Sequence, residues 1–174
     1  MHIFIRFIGV LNAAVWFGAA VFFTVAVGPA FFSSEILEFL PRPYAGRVAE
    51  VILERYFILQ QWCACIALLH LLVEYLYSGR PADRFTVGLL AALLCVGLVG
   101  GYWLQPKMHG LQRVRYSSGT TPAQKADAER TFGLLHGASQ VVNLLSMAGL
   151  LYHVWRMTRP LNEPRFSSFD KFRG

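Results

Sequence analysis

The sequence predicts an all-α fold, a four-transmembrane-helix bundle. Three observations predict it. Four apolar runs, Phe7 to Phe32, Phe57 to Tyr77, Phe85 to Leu104 and Phe132 to Trp155, each reach or exceed the roughly 20 residues a helix needs to cross about 30 Å of hydrocarbon. Of the 174 residues, 55% are hydrophobic and 15% charged, which leaves little chain for a soluble domain. A soluble core of this size would be too small to surround four such segments. One membrane domain is expected over residues 1–159, with a C-terminal tail at 160–174.

The first run follows a basic start at Arg6. Its apolar stretch is about twice as long as the 7–15 residues or so of a signal-peptide core, and no small-x-small cleavage site follows, so it reads as a retained span. The second run is preceded by the breaker Pro41-Arg42-Pro43 and by Tyr44 to Tyr56, a stretch of helical composition. There Arg47/Glu50 and Glu50/Glu54 are spaced for one helix face, so helix 2 is expected to extend beyond the bilayer. The third run meets Pro106, which is expected to kink or end it. Ser117-Ser118-Gly119 then forms a hairpin turn. Thr121-Pro122-Ala123-Gln124 has the form of a capping box with proline at the first helical position. From there helix 4 is expected to run without proline to Met157, again longer than the membrane is thick, and helix 3 is a further candidate for such an extension.

Eight basic residues fall on each side of the membrane in this plan, so the bare count does not orient it. Arg80/Arg84 and Arg156/Arg159 stand immediately at span ends, and they place the termini in the cytoplasm of a bacterial inner membrane. The net charge of +6 suits anionic lipid, and the scattered basic residues form no nucleic-acid stripe. The three cysteines, Cys63, Cys65 and Cys95, lie within spans and imply no disulfide framework.

Polar groups at bilayer depth are expensive, so they mark candidate sites. His136, Ser139, Gln140 and Asn143 recur at i, i+3, i+4 and i+7 and are expected to face other helices, as packing bonds or as a solute, ion or proton site. Asn12, one turn before Trp16, is the polar residue of the first span. His70 and Glu74 share a helix face, at nearly the depth of His153. The bland reading of these three is snorkelling and structural hydrogen bonding; the sharper ones are a proton relay, a metal site, or axial haem b ligation by the two histidines. No cofactor is expected on balance, and methionine and cysteine are too scattered for copper. Gly97/Gly101, Gly133/Gly137 and Ala14/Gly18 are small-residue pairs that let helices approach, and Gly28-Pro29 marks the exit of the first span.

Three motifs carry a family resemblance. They are Val27-Gly28-Pro29-Ala30-Phe31-Phe32, Tyr102-Trp103-Leu104-Gln105-Pro106-Lys107-Met108, and Phe132 to Leu144 with its His136-Gly137-x-Ser139 and Asn143. In order and spacing they resemble transmembrane protein 205 and its bacterial relatives over most of Phe7 to Met157. The resemblance implies the four-span plan and a membrane domain of unknown function. The animal member's association with platinum-drug resistance implies export or trafficking of a metal complex. Gln105 departs from the glutamate usual in that family.

Three functions are weighed. The first is a small accessory or oligomer-forming membrane subunit, with membrane lipid and further copies as partners. The second is transport or binding of a small solute or metal species at the His136, Ser139, Gln140 and Asn143 stripe. The third is a haem protein using His70 and His153. No hydrolytic constellation is present, so no enzyme is expected.

Overall fold

The computed structural model of the protein describes residues 2–78 and 83–159. The expected tail at 160–174 lies outside the described residues. The chain forms helix α1 (His2–Phe22), a π-turn (Phe23–Val27), α2 (Gly28–Ala30), α3 (Ser34–Phe39), α4 (Arg42–Ser78), α5 (Arg84–Val99), a second π-turn (Gly100–Leu104), α6 (Gln105–Tyr116) and α7 (Pro122–Thr158). There is no strand among the described residues. Four continuous helices are long and apolar enough to cross a membrane: Ile3–Ala30, Arg42–Tyr77, Arg84–Tyr116 and Pro122–Thr158. The chain is thus an integral membrane protein built as a four-helix bundle.

The first helix packs on α4 and α7, and α5 closes the ring between them. Small residues permit this. Ala13, Ala20, Ala64 and Ala67 are buried between helices, and Trp16, Leu90 and Leu150 fill the centre. Outward, Phe4, Phe7, Leu69, Leu76, Leu144 and Leu145 are each more than half exposed, as lipid-facing side chains are. Arg6 donates to the carbonyls of Thr158 and Arg159, so the start of α1 and the end of α7 share one end of the bundle. The hairpin between α6 and α7 marks the opposite, far end.

Both long extensions are present. α4 and α7 have 37 residues each, about 55 Å of helix. The capping box forms as spaced: Gln124 N–H donates to Thr121 Oγ1 and Thr121 N–H donates to Gln124 Oε1. Beyond the membrane α6 pairs with α7, where the Arg115 guanidinium lies 4.9 Å from the Phe132 ring and bonds Glu129 at 3.1 Å. Thr120 Oγ1 closes the hairpin by donating to the Val114 carbonyl at 2.9 Å.

Gly28-Pro29 marks the exit of the first span, which ends at Ala30, and Pro106 disturbs the third helix without ending it. A proline ring collides with the carbonyl four residues back and has no N–H to offer it. Here the residue before each proline bonds five back, Gly28 N–H to the Phe23 carbonyl and Gln105 N–H to the Gly100 carbonyl. That wider turn makes room for the ring; the third helix then runs on to Tyr116, and the first ends at Ala30. The short α3, capped by Ser33, was not expected from the sequence.

Candidate functional site

The two π-turns flank the same turn of α4. Phe23, in the first, stacks on Tyr56 with ring centroids 4.3 Å apart. Phe57, the next residue, presses its ring against Gly100 of the second, where any Cβ would overlap it. Tyr56 also accepts a hydrogen bond from buried Gln60. Widened turns of this kind recur at functional sites because they loosen the backbone hydrogen-bond ladder locally.

Towards the far end from this turn, α4 and the third helix open into a cavity of about 480 Å³. Its apolar wall is Val51, Phe57, Ile58 and Tyr102, and its polar residues are Arg47, Glu50, Glu54, Gln61, Gln105 and His109. The polar groups are organised around Glu50. His109 Nδ1 lies 2.6 Å from Glu50 Oε2, and an Arg47 guanidinium nitrogen lies 2.6 Å from Nδ1 and 2.8 Å from Nε2 of the same ring. Arg47 also reaches the same carboxylate oxygen at 3.2 Å. Gln105 donates to the Glu50 main-chain carbonyl at 3.0 Å, tying the second π-turn to α4. Glu50 Oε1, by contrast, is buried and has no hydrogen-bond partner. A carboxylate oxygen left so costs about 1–3 kcal/mol or more, which a donor from outside the chain would offset. Glu54, one turn on, is exposed and forms no ion pair among the described residues.

The stripe predicted on the fourth span is only partly brought inward. Asn143 donates to Thr24 Oγ1 at 2.8 Å, within the first π-turn. His136 and Gln140 lie on the exposed face of α7, which corrects the expectation that the stripe faces other helices. Their contacts stay on their own helix: His136 stacks on Phe132 and lies 3.5 Å from Gln140 Nε2. Ser139 Oγ donates to the His136 carbonyl at 2.7 Å. The reason for His136 is axial: seven residues bring it to within about 20° of Asn143 but roughly 10 Å further along α7 toward the far end, whereas Gln140 lies about 60° around the helix from Asn143.

His70, Glu74 and His153 occupy the termini end. His70 Nε2 lies 3.0 Å from the Ile5 carbonyl, so that nitrogen carries the proton and is not free to ligate. The ring also packs on Gly9, where an added Cβ would lie 2.5 Å from Nε2. His153 is buried, 2% exposed, and its Nδ1 finds no partner. Glu74 lies on the exposed side of α4 with interactions of its own. Among the described residues no three His, Cys, Asp or Glu side chains gather as a metal site would need. With Nε2 donating to Ile5, Nδ1 is the nitrogen of His70 left to accept. Asn12 bonds the Cys63 carbonyl at 2.9 Å, a packing bond inside the bundle.

The Glu50–His109 pairing was not foreseen from the sequence. Arg47 and Glu50 were legible as neighbours on one helix, but their third partner lies 59 residues from Glu50.

The chain matches a protein family described as a domain of unknown function (DUF4149) over residues 11–117. That stretch covers most of α1 through all of α6 and so includes the whole Glu50 cluster. No curated protein and no solved structure matches the chain.

Proposed function

Because the chain belongs to the DUF4149 family, defined by a domain of unknown function, we propose its role from its own surfaces: it is a small membrane subunit that pairs with a second copy of itself through α7. One observation carries the reading. Gly133 and Gly137 have open space where a side chain would stand, with nothing within 4 Å. Gly97 and Gly101, the comparable pair on the third helix, are filled instead by Gln60, Gln61 and Phe57 of α4. The open pair shares a helix face with Gln140 and Leu144, both exposed. Such a face is self-complementary in a two-fold dimer: small residues meet small residues, and His136 and Gln140 offer each other a donor and an acceptor.

The likeness to transmembrane protein 205 belongs to this proposal and supports the same four-span plan. We place the termini in the cytoplasm of a bacterial inner membrane, on the arginines at the span ends, and we assign no catalytic step. An impermeant thiol label on Ser118→Cys, at the far hairpin, tests the orientation.

Pairing is tested with single cysteines in a background lacking Cys63, Cys65 and Cys95. Gly137→Cys and Leu144→Cys are expected to form disulfide-linked dimers in native membranes, and Leu69→Cys, exposed on α4, is not. Absence of dimers at both α7 positions, or equal yield at Leu69, rejects the proposal.

A further inference from the structure

The cavity beside Glu50 has an occupant implied by its charges. We propose that it binds the primary ammonium group of an amphiphile, whose apolar chain lies along Val51, Phe57, Ile58 and Tyr102. Three observations converge on this. First, the donors present are already engaged: His109 and Arg47 both meet Glu50 Oε2, and Gln105 meets the Glu50 carbonyl. Glu50 Oε1 therefore lacks a donor that the chain does not supply. Second, Arg47 balances Glu50, and Glu54 remains as an unpaired carboxylate among the described residues, so the cavity carries net negative charge. Third, its remaining wall is apolar and its volume of about 480 Å³ falls among those of ligand sites.

A primary ammonium has three N–H donors, enough for both Glu50 and Glu54. These stand one helical turn apart on the same face of α4. A quaternary ammonium would bring charge without donors, and an anionic head would meet two carboxylates. The apolar wall requires a chain behind the head, which excludes a bare inorganic cation as the best occupant. The same chemistry is offered by an aminophospholipid headgroup and by a free alkylamine. This inference does not depend on α7 pairing; the cavity and the open face of α7 lie on different helices.

The test uses the full chain in phosphatidylcholine nanodiscs, with dodecylamine, dodecyltrimethylammonium and dodecyl sulfate as probes and thermal unfolding as the readout. Dodecylamine is expected to raise the unfolding temperature in a saturable way. In Glu54→Gln and in Glu50→Gln the half-saturating concentration rises at least tenfold. The quaternary probe acts at least tenfold more weakly, and the sulfate gives no saturable shift. The same response in wild type and both variants, or to all three probes, overturns the assignment. Should Glu50→Gln not fold, Glu54→Gln decides alone, since its side chain is exposed and forms no ion pair among the described residues. Replacing part of the phosphatidylcholine by phosphatidylethanolamine separates the sources. Competition with dodecylamine assigns the site to the lipid headgroup, and its absence assigns it to the free amine; both results keep the ammonium site.

Discussion

Phe57 of α4 occupies the notch that Gly100 leaves in the second π-turn. With Tyr56 stacked on Phe23 of the first π-turn, two adjacent aromatic residues hold both widened turns against one helix. The notch exists only because residue 100 has no side chain. Gly100→Ala is therefore expected to destabilise the bundle by about 1–3 kcal/mol, as other overpacked cores are. Phe57→Leu, which removes the ring edge, is expected to lose less in the Gly100→Ala background than alone. Chemical unfolding of the two single variants and the double variant checks it; strict additivity would show that the ring and the notch are not coupled.

Glu50 joins α4 to α6 through His109, and the joint depends on both partners. His109→Ala leaves the half-buried carboxylate with Arg47 alone and is expected to cost about 1–3 kcal/mol. The loss falls on α6, so amide hydrogen exchange there is expected to quicken while that of α1 stays unchanged. Uniform quickening over all four helices would contradict this local role.

Asp83 caps α5 from outside the membrane. The hydroxyl of Thr86, with the N–H groups of Phe85 and Thr86, holds its carboxyl below the usual aspartate range. A depressed carboxyl stabilises the folded state fully above its unfolded value, and the contribution fades as pH falls through the folded one. Fraying of α5 is thus expected only on acidification below the ordinary aspartate range. Asp83→Asn, which cannot ionise, is expected to remove that pH dependence. Exchange of the Thr86 amide against pH measures it, and an unchanged profile in the variant would refute it.

Much of this architecture is legible in the chain itself. The length of each apolar run fixes the number of crossings, and Thr121 with Gln124 fixes where α7 starts, because a cap depends on residues three apart. The two prolines mark where each helix is disturbed but not how: a π-turn is a rearrangement of backbone bonds, and the residues at 23–27 and 100–104 carry no side-chain signature of it. The Glu50 cluster is half legible. Helical spacing puts Arg47 beside Glu50, but periodicity says which face a residue is on and not which helix it meets, so His109 stays hidden. The same limit explains His136, which shares a stripe with Asn143 yet lies nearly two turns further along α7, where that face is exposed.

That difference between Asn143 and His136 can be separated by measurement. Asn143 bonds Thr24 across the helix pair, and such bonds average about 0.6 kcal/mol in membranes. Asn143→Ala is expected to lower the stability of the monomer by about that amount, and Thr24→Ala to add little once Asn143 is gone. Among the described residues the His136 ring meets Phe132 and Gln140, both of its own helix. His136→Ala is therefore expected to leave the monomer unchanged and to reduce the dimer yield of Gly137→Cys. Steric trapping of the monomer in lipid, run beside the crosslinking, reads both effects. A larger monomer loss for His136→Ala than for Asn143→Ala would mean that α7 is rotated, with the imidazole turned into the bundle and Gly133 and Gly137 no longer on an open face.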